Sequence, residues 1–364
     1  MQRRGLIGTL LCGPLAAEPL DAWLLSRQRS YAARLAWRPS ASWRSQALSV
    51  ARRLILLPGD DGRAIDTERL ATEPRGDHVA HRLRLRMALG DSTEALWLLP
   101  ASPGPHPAVL LLHDHGARFD IGAEKLVRPL ASDAPAVQEA AGHWVARYFD
   151  GRFVGEALVR QGYAVLAVDA LGWGSRSRPG FARDDQQALA AQLMQLGAHW
   201  AGVIASDDLR SLRWLREQSE VDARRIAVFG FSMGAFRAWQ LAALDEGVEA
   251  CIAAHWMAPR RDGLLRPGEH TLLGQSAFAM LHPGLAAELD HPDVAALVAP
   301  RPFLLMGSPQ DRLFPWDAAQ RAAAQLAQAW PQGGFRFEST RGGHQFGAEA
   351  QAVAWAWLRS LRER

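Results

Sequence analysis

The amino-acid sequence predicts an α/β protein with a doubly wound, mostly parallel sheet that carries helices on both faces. The first observation is that short apolar runs, rich in β-branched and aromatic residues, alternate with longer segments of helical periodicity. The second is that the strand-like residues 225–229 lead through Gly230-Phe231-Ser232-Met233-Gly234 directly into a helical segment, residues 235–243. Because strands that are joined through helices run parallel, we expect one parallel sheet covered by helices.

Composition permits a large buried core and argues against several kinds of partner. The chain has 364 residues, of which 48% are hydrophobic, a normal size for one α/β domain with insertions. Its formal charge is only +3, and Lys125 is the sole lysine among many scattered arginines. We therefore expect no nucleic-acid partner. Cys12 and Cys251 are the two cysteines, so a disulfide framework is not predicted.

Residues 1–17 form a candidate signal peptide. Gln2-Arg3-Arg4-Gly5 precedes an apolar run, residues 6–15, and then Ala16-Ala17. This pattern fits export to the periplasm or the medium through a twin-arginine-like or general signal. An amphipathic N-terminal helix of a cytoplasmic protein fits it as well. The apolar run is too short to span a bilayer, so stable membrane insertion is not expected.

Residues 18–77 are predicted to form an N-terminal helical extension and a linker. Apolar residues recur at helical spacing through residues 21–57, and Pro39 divides this segment into two helices. Residues 58–77 are polar and rich in Gly, Asp and Arg, which is typical of a loop or linker.

Residues 78–364 carry the alternating pattern of the main domain. Residues 79–88 and 93–99 predict a β-hairpin, because each is strand-like and Gly90-Asp91 lies between them. Residues 256–300 are irregular and predict an insertion after the sixth strand. The other predicted strands are residues 108–112, 163–168, 225–229, 248–254, 302–306 and 335–338, and the predicted helices are residues 149–161, 184–218 (one or two helices), 235–243, 316–330 and 348–361.

The G-x-S-x-G sequence between a strand and a helix predicts a nucleophile at Ser232. The turn that such a serine occupies is so sharp that side chains two residues before and after it would clash, and glycine at 230 and 234 removes them. A serine hydroxyl needs a base within hydrogen-bond reach, itself oriented by a third group. An ordinary strand-to-helix turn with a capping serine is the alternative that partner residues must exclude.

Asp311 and His344 are the predicted partners of Ser232. Each lies in a loop directly after a predicted strand, and such loops meet at the carboxyl edge of a parallel sheet. His344 would then be the base and Asp311 the orienting acid, in the chain order Ser, acid, His. The rival candidates share one weakness, because they are assigned to the irregular insertion and not to a loop directly after a strand: Asp290, Asp293, His255, His270, His282 and His291.

The loop His113-Asp114-His115-Gly116 is predicted to complete an oxyanion hole. The backbone N–H of Met233 is the first donor, and that of His115 is the second, with Gly116 as the neighbouring option. A metal site is the rival interpretation of His-Asp-His, but the H-x-H-x-D-H pattern would need aspartate at position 117 and histidine at 118, which are Ala117 and Arg118. No metal is therefore expected.

Aromatic residues supply candidates for the substrate wall. The chain has fourteen tryptophans, and most of them lie at helical spacing typical of a core. Trp173, Trp256 and Trp316 instead lie in or near loops at the predicted catalytic edge, where they could form an apolar or sugar-stacking wall.

The stretches VLLLHDHG, DALGWGSR, VFGFSMGA, HPDVAALVAPRPFLLMGSPQDRLFP and GGHQF together resemble the α/β-hydrolase superfamily, in its dienelactone-hydrolase-like and acetyl xylan esterase-like branch. The likeness extends from about residue 79 to the C-terminus. It implies the α/β-hydrolase fold and a serine carboxylic-ester hydrolase without cofactor, and Ser232, Asp311 and His344 match the family triad. Dienelactone hydrolases proper use a cysteine nucleophile, so Ser232 argues for simple esters.

These inferences together predict an esterase that works by acyl-enzyme formation on short acyl groups such as acetyl. A small molecule or a carbohydrate ester is the expected substrate. A peptidase or amidase of the same fold is one alternative, and a catalytically silent binding module on a hydrolase scaffold is the other. The sequence predicts neither the oligomeric state nor the acyl and alcohol specificity.

Overall fold

The computed structural model describes residues 19–57, 64–264 and 274–363. The chain divides into two compact units, Met1–Ala32 and Ala33–Arg364. The described part of the first unit contains helix α1 (Leu20–Arg29), none of whose side chains is buried. The candidate signal peptide, residues 1–17, lies outside the described residues, and export stays a prediction.

One sheet organises the second unit. Its nine described strands lie in the order β1-β2-β3-β5-β4-β6-β7-β8-β9. The strands β1, β2 and β3 pair antiparallel, β3 pairs antiparallel with β5, and every pairing from β5 to β9 is parallel. The bounds are β1 Thr67–Pro74, β2 His78–Arg86, β3 Ser92–Pro100, β4 His106–Leu112, β5 Ala164–Val168, β6 Val221–Phe231, β7 Ala250–Ala254, β8 Phe303–Gly307 and β9 Phe335–Ser339.

Helices cover both faces of this sheet, as the sequence predicts. The helices that pack on one face are α2, α5, α6, α7, α8, α9 and α10, while α3, α4 and α11 pack on the other. Their bounds are α2 Ala41–Ile55, α3 Pro135–Tyr148, α4 Val154–Val159, α5 Asp185–Gln195, α6 Trp200–Arg216, α7 Met233–Leu244, α8 Leu285–Glu288, α9 His291–Ala296, α10 Trp316–Ala327 and α11 Ala348–Ser360.

The side-chain alternation of the central strands divides the core into two layers. In β4, Leu110 and Leu112 join the layer under α2, α6 and α7, whereas Val109 and Leu111 join the layer under α3 and α11. A strand that is buried on both faces reads as a continuous apolar run, which is why residues 108–112 are recognisable from the sequence. Among the described residues, no helix has the length and apolar character needed to cross a bilayer.

The prediction that residues 58–77 form only a linker is wrong for its second half. Thr67–Pro74 is the edge strand β1, paired antiparallel with β2. Most of its side chains are exposed or half-buried, so the strand lacks the apolar alternation of a half-buried strand. The irregular segment 256–300 accordingly follows the seventh strand, β7, and not the sixth.

The predicted helix 149–161 begins too early. Helix α3 ends at Tyr148, and α4 begins only at Val154. Asp150 and Gly151 lie between them with φ of 51° and 72°, in the left-handed region. Asp-Gly is a common turn dipeptide, and this signal was available in the sequence.

Candidate active site

Parallel strands bring the predicted site residues to one edge of the sheet. The loop His113-Asp114-His115-Gly116 follows β4, Ser232 follows β6, Asp311 lies beyond β8 and His344 lies beyond β9. The strands β4, β6, β7, β8 and β9 are neighbours in this order. Residues remote in the chain thus meet at the carboxyl edge, where ligands bind in such sheets.

Ser232 lies on a strained turn between β6 and α7. Its φ and ψ are 56° and −126°, which a residue with a side chain rarely adopts. A Cβ on Gly230 would lie 1.9 Å from the carbonyl oxygen of Gly234, and one on Gly234 would lie 1.9 Å from that of Leu112. Both glycines are therefore required, and they hold the turn against the end of β4.

The imidazole of His344 contacts the Ser232 hydroxyl. The distance from His344 Nε2 to Ser232 Oγ is 2.8 Å. Phe231 and Phe314 pack against the ring, with centroid distances of 4.9 and 5.8 Å. The loop before His344 is fixed by the Ser308 hydroxyl, which donates to the carbonyl oxygen of Gly342. The ring is thus oriented before any substrate binds.

Asp311 orients this imidazole from the other side. His344 Nδ1 donates to Asp311 Oδ2 at 2.8 Å, while the backbone N–H groups of Leu313 and Phe314 donate to Oδ1 at 2.8 and 3.3 Å. Burial acts to raise the pKa of Asp311, but hydrogen bonds from His255 and His344 outweigh it and hold this pKa well below its usual value. The carboxylate is therefore ionised at neutral pH.

The structure thus brings together the three residues that the sequence selects. It also adds His255, a rival candidate that the sequence analysis assigns to the irregular insertion. That placement was wrong, because His255 directly follows β7 at the same edge of the sheet. Its Nδ1 donates to the same oxygen, Asp311 Oδ2, at 2.8 Å. The signal that could have found it is its position after the apolar run 248–254.

The remaining rivals have other contacts. Asp290 and Asp293 form a capping box at the start of α9, and His282 pairs with Gln240. His291 lies 3.3 Å from the carbonyl oxygen of Ala258, and His270 lies outside the described residues.

Buried donors hold the carbonyl groups of the β4 loop. Lys125 Nζ, 0% exposed, donates to the carbonyl oxygens of Asp114 and His115 at 2.9 and 3.0 Å. Trp173 Nε1 also donates to the oxygen of His115, and Arg237 donates to that of His113. Burial lowers the pKa of Lys125 to about 8. The sequence shows that Lys125 is the sole lysine. Its role could not be predicted, because it depends on the packing of Lys125 against the β4 loop.

The orientation of these carbonyls fixes the N–H groups of the loop. In a trans peptide the N–H points opposite to the C=O, so the N–H of His115 points away from Lys125. Met233 is the first residue of α7 and its N–H has no partner four residues earlier in the helix. His115 and Met233 both line one cavity with Ser232.

The side chain of His115 is a neutral structural group. Burial lowers its pKa to about 3. Its Nδ1 accepts a hydrogen bond from the N–H of Ala117 at 3.0 Å, so Nε2 carries the proton and donates to Gln186 Oε1 at 2.6 Å. This imidazole cannot serve as a base.

The cavity beside Ser232 has a volume of about 330 Å³. Its walls combine aromatic rings with several polar and charged groups. Described residues that line it include Asp114, Trp144, Tyr148, Arg183, Trp256, Met280, Phe314 and His344. A small concave site suits a small ester better than a folded polypeptide.

Of the three predicted tryptophans, only Trp256 lines this cavity. Trp173 is 0% exposed and stacks on Trp200, so it supports the β4 loop from behind. Trp316 stacks on Phe337 and lines a separate small cavity near His255. The prediction of a tryptophan wall is wrong for these two. The structure supplies Trp144, on α3, which sequence reasoning assigned to no role.

Among the described residues, the group with metal-ligand spacing is His255, Asp311 and His344. The two imidazoles already donate to the carboxylate between them. This set of side chains is therefore satisfied by hydrogen bonds among its own members.

Comparisons with known proteins agree with the fold. The model of the dienelactone hydrolase family matches residues 136–357. The Bacillus subtilis (strain 168) protein "Putative hydrolase YtaP" is 28% identical over 287 residues, which are 77% of this chain and 86% of that protein.

Solved structures share the same fold at low sequence identity. A "putative acetyl xylan esterase" from Bacteroides fragilis NCTC 9343 superposes with a TM-score of 0.71 at 16% identity, over 94% of this chain and 96% of that one. The glucuronoyl esterase from Solibacter usitatus gives a TM-score of 0.63 at 17% identity, over 91% and 97%.

Proposed function

Since the chain belongs to the dienelactone hydrolase family and is a carboxylic-ester hydrolase, we propose that it cleaves esters through an acyl-enzyme on Ser232. His344 is the general base and Asp311 the orienting acid. The observation that carries this proposal is the unbroken chain of hydrogen bonds from Ser232 Oγ through the His344 ring to Asp311, with both distances 2.8 Å.

The proton positions in this chain determine the steps. Because Nδ1–H donates to the carboxylate, Nε2 of neutral His344 carries the lone pair that accepts the Ser232 proton. Ser232 Oγ attacks the ester carbonyl carbon, and the protonated His344 then gives its Nε2 proton to the leaving alkoxide. The acyl-enzyme is hydrolysed when His344 deprotonates a water that attacks the same carbon, and Ser232 regains its proton.

The backbone N–H groups of Met233 and His115 are the proposed oxyanion donors. The φ of Ser232 is above zero, and the next residue, Met233, begins α7 and lines the same cavity as Ser232, which supports this role. Lys125 fixes the Asp114–His115 peptide from the buried side. Donors fixed in advance stabilise the developing negative charge without reorganisation in the transition state.

Replacing Lys125 by methionine should therefore lower kcat by about 10- to 100-fold with a small change in KM. The His115 N–H remains in this variant, but the Asp114 carbonyl group of the same peptide loses the ammonium group that orients it. Steady-state kinetics with a p-nitrophenyl acetate substrate, measured well below the Tm of the variant, would check this.

Arg75→Met is the matched control, because Arg75 is another buried cation, paired with Glu73 and Glu156 at the β1 end of the sheet. We expect it to lower the Tm and leave kcat within about threefold. Wild-type kcat in folded Lys125→Met would refute the role of Lys125.

We propose a short acyl group, such as acetyl, as the group transferred. The cavity of about 330 Å³ is at the small end of ligand pockets, and it must hold part of the alcohol as well. Trp256 is 1% exposed and closes one side, held by its Nε1 donation to Met280 Sδ.

The expected result is that kcat/KM for p-nitrophenyl acetate exceeds that for the laurate by at least about tenfold, because the long chain cannot be desolvated in the cavity. Trp256→Ala should reduce this ratio by enlarging the cavity. Trp316→Ala is the matched control, because it makes the same substitution at a tryptophan outside this cavity. Its ratio of kcat/KM for the acetate to that for the laurate should equal the wild-type ratio. Equal turnover of both esters by the wild type would remove the short-acyl proposal.

Acetylated carbohydrate is the substrate class we propose. Trp144 and Tyr148, whose ring centroids are 4.5 Å apart, offer an aromatic face inside the cavity, and such faces suit the apolar sides of sugar rings. Likeness to structures named acetyl xylan esterase and glucuronoyl esterase supports this class. Acetate released from acetylated xylan by wild type but not by Ser232→Ala would support it, and acetate from simple esters alone would contradict it.

Labelling with a fluorophosphonate probe tests the proposed nucleophile directly. The probe transfers its phosphonyl group to an activated serine and releases fluoride. Mass spectrometry should find a single adduct, on Ser232, and none on Ser232→Ala. Labelling that persists in Ser232→Ala, or its absence from active wild-type enzyme, would overturn the acyl-enzyme mechanism.

A further inference from the structure

A second imidazole lies on the carboxylate that orients His344. His255 and His344 both donate from Nδ1 to Asp311 Oδ2, each at 2.8 Å, and their rings are nearly perpendicular at 86°. To orient the general base, Asp311 needs a hydrogen bond only from His344, so a second imidazole on the same carboxylate is not required. The second one is buried, with 1% exposure, and so has no contact with substrate to explain its presence.

The backbone is strained to put His255 there. Its φ is 61°, in the left-handed region that residues with a side chain avoid. The backbone N–H of His255 donates to the carbonyl oxygen of Met306 in β8, the strand that leads to Asp311. The strained conformation and the carboxylate contact are thus held together by neighbouring strands.

Thr340 contacts the other ring nitrogen of His255. Its Oγ1 lies 3.2 Å from His255 Nε2, and its hydroxyl donates to the carbonyl oxygen of Gly307 at 3.1 Å. Asp311 itself fixes the tautomer of His255, because a carboxylate oxygen can only accept and Nδ1 must therefore carry the proton that it donates. Burial lowers the pKa of His255, and the positive charge that His344 can carry lowers it further, against the hydrogen bond to Asp311.

We propose that His255 is a positioning residue that fixes the Asp311 carboxylate and weakens its hold on the His344 proton. The proposal rests on the proposed function, in which His344 is the general base. Two donors share Asp311 Oδ2, so the negative charge on that oxygen is partly neutralised before His344 is protonated. A less basic carboxylate stabilises the imidazolium less, and His344 stays available as a base to lower pH.

The groups that surround His255 do not change the expected shift of the midpoint. Three side chains face His255: Asp311 from the loop after β8, His344 from the loop after β9, and the uncharged Phe231 from β6. Asp114, from the loop after β4, is the further acid that interacts with His344. None of the proposed variants changes Asp114, so its effect is common to all of them.

The test is the pH profile of kcat/KM, whose acid limb reports protonation of the general base. In His255→Leu, which has no donor, the midpoint of the acid limb should move upward by about half a pH unit or more. His255→Phe, which keeps an aromatic ring of similar size but has no donor, should move the midpoint upward by a similar amount. In His255→Asn, the asparagine N–H lies near the position of the former Nδ1. The midpoint should therefore return to within about 0.2 pH unit of the wild-type value.

His81→Asn is the matched control. His81 is also buried and bonded to a threonine hydroxyl, with 2.9 Å from its Nδ1 to Thr72 Oγ1, but it lies on β2 at the antiparallel end of the sheet. Its pH profile should equal that of wild type.

A merely structural role would lower kcat or the Tm of His255→Leu and leave the midpoint unchanged, and this result would overturn the proposal. If His255→Leu does not fold, an unchanged midpoint in His255→Phe overturns it equally. The proposed function fails separately, when hydrolysis by the wild type does not depend on Ser232.

Discussion

Ser232→Ala should lower kcat for ester hydrolysis by about 10⁵- to 10⁶-fold, with KM changed only slightly. The hydroxyl forms the acyl-enzyme, and its removal takes away the proton that His344 Nε2, 2.8 Å from Oγ, is oriented to accept. Residual hydrolysis would come from the oxyanion donors and from binding alone. Active-site titration of the wild type, followed by steady-state kinetics on both proteins with acetate esters, would measure this loss.

The double variant Ser232→Ala, His344→Ala is the sharper control. Residues that act as one unit give losses that do not add, so the double variant should be no slower than Ser232→Ala alone, within about threefold. If the two losses multiplied, Ser232 and His344 would act in separate steps, and the proposed relay of one proton between them would be wrong.

Asp311→Asn should lower kcat by about 10⁴-fold. The amide removes the negative charge that stabilises protonated His344, and it offers an N–H where both imidazoles now donate to Oδ2. His344 is then free to adopt the tautomer whose Nε2 already carries a proton and cannot accept one from Ser232. The acid limb of the pH profile, together with kcat, would show this loss of base strength.

Asp293→Asn serves as the matched control for that change. Asp293 is a buried acid, 1% exposed, that the sequence offers as a rival, and it belongs to the capping box of α9. We expect a lower Tm from the weakened cap and kcat within about threefold of wild type. If Asp293→Asn lost as much kcat as Asp311→Asn, the loss in Asp311→Asn would not be specific to the carboxylate that orients His344, and the proposed role of Asp311 would be contradicted.

Much of the fold could be predicted because its signals are local. The strands β4 and β8 are apolar runs covered on both faces, and the pair β2 and β3 alternates on either side of a Gly-Asp turn. The strand β1 was missed because its pairing with β2 uses backbone groups and requires no apolar side chains. The predicted helix 149–161 covers the turn that Asp150 and Gly151 mark, and helix α3, which ends just before this turn, was not predicted.

The tryptophans show where reasoning from position along the chain fails. Trp173 and Trp316 both lie near loop ends, as a substrate wall requires, yet one is buried against Trp200 and the other packs on Phe337. Trp144 lies at helical spacing, as a core residue would, yet it lines the cavity. Periodicity gives the face of a helix that is apolar but not whether that face meets the core or a cavity.

The sequence by itself determined the serine turn and the order of its partners. The reason is that the turn depends on sterics within five residues, Gly230 to Gly234, and that loops after parallel strands must share one edge of the sheet. Only the tertiary structure decided that His255 shares Asp311 with His344 and that Lys125 holds the β4 loop. Both contacts depend on which strands and loops become neighbours and at what register, and contacts between segments remote in sequence leave no local pattern to detect.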